Sequence, residues 1–105
     1  MGYAKERSKL EKLLTKVNSL TNYDDKSLAI ITDIYEQYSH TLRILKNKNP
    51  DTFLEIYLRE LPQVKLAKHA LKASEEGDRQ DNFIKYQDSL STAMITVIAL
   101  TKASQ

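Results

Sequence analysis

With no cysteine in its 105 residues, the chain leaves acid–base and metal chemistry to two histidines and fourteen carboxylates. Thiolate nucleophiles, thiolate metal sites and thiol redox chemistry are excluded at once. Glu36 and His40 stand one helical turn apart and can share a face, which is half of a metal or acid–base site. Nothing completes it. His69 has no HExxH context, and the Glu-x-x-His pairs of di-iron bundles are missing. The bland reading, a solvated surface pair, is therefore preferred. The doublets Asp24-Asp25 and Glu75-Glu76 fall where helices begin or end, so capping and solvation account for them. Phosphate-cradling loops need clustered glycines at a helix start, but Gly77 is solitary and Gly2 is at the terminus. There is no Gly-x-Ser-x-Gly elbow either. No catalytic residue, cofactor or metal site is expected, and the chain reads as a non-enzyme.

A second kind of chemistry is electrostatic. The formal net charge is only +2, yet residues 1–22 carry five basic and two acidic side chains while the rest carry eleven and twelve. Lys5, Lys9, Lys12 and Lys16 repeat at helical spacing and form a candidate basic face, with Arg7 beside them. Such a row suits nonspecific, salt-sensitive contact with nucleic acid, although a solvated lysine face is the simpler expectation. Lysine outnumbers arginine twelve to four, which gives no bias toward bidentate recognition. Arg79, Gln80 and Asn82 follow a tight joint and could read bases, but Asp78 and Asp81 would repel phosphates there.

These side chains must be carried by helices. Two glycines and two prolines are too few turn-formers for an all-β fold. Leu10, Leu13, Leu14, Val17 and Leu20 mark the inner face of a first helix, over about 4–20. Leu28, Ile31, Tyr35, Tyr38, Leu42 and Leu45 mark a second, over about 25–46, widened by Ile30, Ile34 and Ile44. Asp24 or Asp25 is expected to cap it. Asn49 as cap, Pro50 as first residue and Asp51 in the first turn open a third helix, over about 50–75. Its expected inner face is Phe53, Leu54, Tyr57, Leu58, Leu61, Val64, Ala67 and Leu71. Pro62 is expected to kink or break it, because a prolyl nitrogen cannot bond the Leu58 carbonyl. Gly77 as a left-handed cap and Asp78 as an N-cap lead to a fourth helix, over about 79–102.

That last helix is apolar nearly all round from Ala93 to Leu100. Met94, Ile95 and Ile98 lie outside the stripe of Phe83, Tyr86, Leu90, Ala93, Val97 and Leu100. A bundle helix needs an apolar stripe only about 100° wide. Either two neighbouring helices cover the surplus, or a second copy or another protein does, and Met94, Ile95 and Ile98 are the candidate interface. A homodimer about a two-fold axis near Ile95 and Ile98 is the simplest closed arrangement.

The joint Ala70-Leu71-Lys72-Ala73-Ser74-Glu75-Glu76-Gly77-Asp78 resembles that of helical hairpins in flagellar export chaperones and tetratricopeptide repeats. Size, lysine content and four helices are also similar to small bacteriocin immunity proteins. These resemblances imply helical hairpins and carry no site residues across.

The sequence thus predicts an all-α fold, a small antiparallel four-helix bundle in one domain over 1–105, with a kinked or broken third helix. The expected function is non-catalytic protein–protein interaction by an adaptor, chaperone or inhibitor-like bundle. The alternatives are a regulatory nucleic-acid binder using the basic first helix and a structural subunit of a homo-oligomer. No apolar stretch follows Met1-Gly2-Tyr3, so no secretory leader is expected, and Glu6 stands where a myristoylation signal wants Ser or Thr. The uncharged run from Ser89 to Thr101 is too short and too rich in Ser and Thr to span a bilayer. With no cysteine to protect, a cytoplasmic location is expected.

Overall fold

Helix ends are decided locally, and here the caps act as written in the sequence. In the computed structural model, which describes residues 2–103, the Ser27 N–H donates to Asp24 Oδ1 at 2.7 Å and starts α2 (Asp25–Lys48). Met1 lies outside the described residues. Asn49 ends α2 and begins α3 (Pro50–Lys72) in a single residue. Its N–H reaches the Leu45 carbonyl at 2.9 Å, and its side chain accepts from the Thr52 N–H at 3.3 Å. Pro50 enforces the separation, because the residue before a proline is driven out of the helical region; Asn49 sits at φ −148°, ψ 79°.

The first helix, α1 (Ala4–Asn18), stops short of Leu20. Gln87 takes over there, donating from one amide nitrogen to the carbonyls of Val17 at 2.6 Å and Leu20 at 2.7 Å. Between α3 and α4 (Arg79–Ala103) the chain makes a single 3-10 turn over Glu76–Asp78. One expectation fails at this joint, since Gly77 does not adopt positive φ; Asp78 stands immediately before α4, its N–H bonding the Glu75 carbonyl at 2.9 Å inside the turn. Asn82 instead ties the joint together, donating to Ser74 Oγ at 2.6 Å.

The described residues form an antiparallel four-helix bundle with no strands. Each helix packs on its sequence neighbours, α4 closes on α1, and α2 meets α4 across the diagonal. Leu10, Leu13, Val17, Ile31, Tyr38, Leu42, Leu45, Phe53, Val64, Phe83 and Leu90 build the core. Aromatic edges join the layers: Tyr3 stands edge-on to Phe53 at 5.3 Å and Tyr23 to Phe83 at 5.9 Å. None of the described helices is long and apolar enough to cross a membrane.

The third helix is continuous through Pro62, so of the expected kink or break the break does not occur. Pro62 and Leu58 are both exposed, which leaves the Leu58 carbonyl, deprived of its intrahelical donor, on the solvent side where hydration replaces the bond. The inner face is also rotated. Ile56 is buried, whereas Leu54 and Leu58 are 42% and 63% exposed. With about 100° per residue, Phe53, Val64 and Leu71 share one direction, and Leu54 and Leu58 lie roughly 100° and 140° away from it.

Candidate functional site

The histidine–carboxylate pair gathers no third ligand. Glu36, His40 and His69 are exposed, and among the described residues no group of three or more His, Asp or Glu side chains is placed to hold a metal ion. His40 faces different company. A cleft of about 280 Å³ between α1 and α2 is bordered by Lys5, Lys9, His40 and Lys48, over the buried Glu6 and Thr41. Lys48 and Glu6 form an ion pair at its floor. The other two lysines of the basic row lie further along α1. Lys12 is exposed, and Lys16 borders an apolar groove of about 390 Å³ with Leu20, Ile30 and Ile34. The α1 lysines are evident from their spacing, whereas Lys48 and His40 join them from the far part of another helix, which spacing along the chain does not reveal.

The apolar surplus of α4 is largely absorbed by the bundle. Met94 is fully buried and Ile98 is only 7% exposed, since α1 and α3 both pack on this helix. Of the three candidate interface residues, Ile95 alone presents surface, at 53%. It lies in a shallow groove of about 320 Å³ with Leu14, Ile98 and Ala99, flanked by Glu11 and Lys102.

A larger apolar feature lies where no interface was expected. Leu54, Leu58, Pro62 and Leu66 follow one another at four-residue spacing along the outside of α3, and Leu66 is 63% exposed. Side chains four apart form a continuous ridge on a helix. This one runs for about 18 Å at 1.5 Å per residue. Charged groups edge it: Glu55 receives Arg59 at 3.2 Å on one side, and Lys65 and His69 are exposed on the other. The inner side of the same helix is held to α2 by cation–ring contacts, with Lys68 Nζ 4.5 Å from the Tyr35 ring and Lys46 Nζ 4.4 Å from the Tyr57 ring. The ridge is thus the outer face of a helix whose inner face is firmly seated. The signal was present in the sequence as the angular offset of Leu54 and Leu58 from Phe53.

Of the buried polar groups, Glu6 and Thr41 line the α1–α2 cleft. Tyr38 and Tyr86 hydroxyls and the Thr41 Oγ1 are buried without a hydrogen-bond partner among the described residues. Burial pushes the Tyr38 and Tyr86 phenols well above the usual range, so both stay neutral. No protein-family model, curated protein or solved structure matches the chain.

Proposed function

We propose that the chain is a non-catalytic protein–protein interaction module of the cytoplasm that docks through the outer face of α3. The observation that carries this reading is the exposed ridge Leu54–Leu58–Pro62–Leu66 on a bundle whose other large apolar side chains are mostly inside. Contiguous exposed apolar surface rimmed by charge is the ordinary mark of a binding site. Keeping a proline in mid-helix is costly to folding, and a rigid apolar ring in the middle of a contact face gives that cost a use.

The test is a photo-crosslinking residue placed at Leu58 in cells that express the chain. A discrete protein adduct is expected, lost when Leu66→Glu is added and retained when Lys12→Glu is added instead. Adducts that survive Leu66→Glu, or none at all, overturn the reading.

The cleft of Lys5, Lys9, His40 and Lys48 supports a second reading, contact with a phosphate-bearing partner such as nucleic acid. Binding to duplex DNA that weakens steeply with salt, and is lost in a Lys5→Glu, Lys9→Glu double variant, is its expected signature.

A further inference from the structure

We propose that the occupant of the α3 ridge is the same ridge of a second copy, crossed antiparallel about a two-fold axis at Pro62. This rests on the reading of α3 as the docking face and names its partner. The first argument is the charge order along the helix. Residues 50–61 carry Asp51, Glu55 and Glu60 against Arg59, a net of −2. Residues 62–72 carry the exposed Lys65 and Lys72 and, turned inward onto Tyr35, Lys68, with no carboxylate. An antiparallel pair sets the acidic half of each helix beside the basic half of the other, whereas a parallel pair opposes like to like. A surface that complements itself under a two-fold axis is what an isologous dimer requires.

The second argument is register. An axis through Pro62 maps Leu58 onto Leu66, four residues to either side, and Leu54 onto Ala70, eight to either side. It also maps Glu55 onto His69, seven to either side. All six are exposed, so apolar groups meet apolar groups and a carboxylate meets an imidazole; Arg59 comes opposite Lys65, three residues to either side, with its charge already offset by Glu55 at 3.2 Å. Ridges of i and i+4 residues packed into each other cross at about −50°, which centres the contact on Pro62, Leu58 and Leu66 and leaves only the long side chains of Glu55 and His69 to reach across where the helices diverge. The interface is therefore small and the dimer weak and reversible, at the low end of specific interfaces.

Sedimentation equilibrium of the full chain from roughly 5 µM to roughly 500 µM is expected to show a monomer–dimer equilibrium. Leu58→Glu abolishes it while leaving the helical circular dichroism unchanged, because Leu58 is already 63% exposed. Glu55→Lys and His69→Glu each weaken the dimer, and the two together restore it. The absence of native cysteine gives a direct probe of the axis. Helices 8–10 Å apart place facing Cα atoms about 4–5 Å from each other, within disulfide reach. Pro62→Cys should therefore cross-link to its own symmetry mate under mild oxidation, and far faster than Ile95→Cys. A monomer at every concentration overturns the dimer. If Leu58 then still traps a different protein that Leu66→Glu releases, the docking face stands and its occupant is a hetero-partner. Faster cross-linking through Ile95→Cys overturns the dimer at α3 and moves the contact to α4.

Discussion

The Glu6 carboxylate and the Lys48 ammonium form an ion pair that clasps the first turn of α1 to the last turn of α2. Glu6 is nearly buried, and Lys48 reaches it from a half-exposed position. Burial raises the Glu6 carboxyl's pKa. The Lys48 hydrogen bond, the residue's own backbone N–H, and the charges of Lys48 and Lys5 together outweigh it, so the group titrates below its ordinary 4.5. The folded state then binds this proton less readily than the unfolded one. The stabilisation is complete above about pH 5 and declines as the pH falls through 4.5 toward the lowered value. Glu6→Gln is expected to lose about 1–2 kcal/mol at pH 7, with the gap to wild type narrowing toward pH 3 in urea titrations.

Leu42 and Leu58 are leucines of opposite consequence. Leu42 is fully buried on the most regular stripe of α2, as is Tyr38 beside it. Leu42→Ala or Tyr38→Ala should cost about 2–5 kcal/mol. Leu58→Ala, on the outer face of α3, should stay within about 0.5 kcal/mol of wild type at low concentration. Chemical-denaturation midpoints for the three variants check the assigned faces.

Two tyrosine hydroxyls sit in the core without partners among the described residues, at Tyr38 and Tyr86. Removing a buried, unpaired polar atom removes its desolvation penalty. Tyr38→Phe and Tyr86→Phe should leave thermal stability unchanged or raise it by about 1 kcal/mol. Tyr3→Phe should lower it, because the Tyr3 hydroxyl accepts a hydrogen bond from Asn49 Nδ2 at 3.0 Å.

Gln87 closes the end of α1 from another helix. Its two hydrogen bonds cover the Leu20 carbonyl and that of Val17, which also accepts the long last-turn bond from the Leu20 N–H at 3.3 Å. Gln87→Ala is expected to cost about 1–3 kcal/mol. Amide hydrogen exchange should show the loss first at residues 16–20, as fraying of the α1 terminus.

Pro62 interrupts no packing and lies on the exposed face of a continuous helix. Pro62→Ala restores an N–H for the Leu58 carbonyl and should stabilise the monomer by up to about 3 kcal/mol. A lower melting temperature for this variant would show that the proline ring is itself a packing element.

The sequence by itself determined whatever rests on neighbours along the chain. Asp24 and Asn49 cap because their side chains reach amides three residues on, and the four apolar periodicities mark four helices because a helical face is defined by spacing alone. The local signals misled where a turn had more than one solution. A glycine permits positive φ without requiring it, and the 3-10 turn at Glu76–Asp78 made the left-handed cap unnecessary. Only the tertiary structure decided which apolar residues the bundle consumes. In α4 it buried Met94 and Ile98 against α1 and α3; in α3 it set the helix phase so that Ile56 went in while Leu54, Leu58 and Leu66 stayed out. Lys48 and His40 likewise joined Lys5 and Lys9 only because α2 runs antiparallel beside α1. A stripe wider than one neighbour can cover has no unique inner direction in the sequence. That direction is fixed by how closely the facing helices pack, and what they do not cover remains outside.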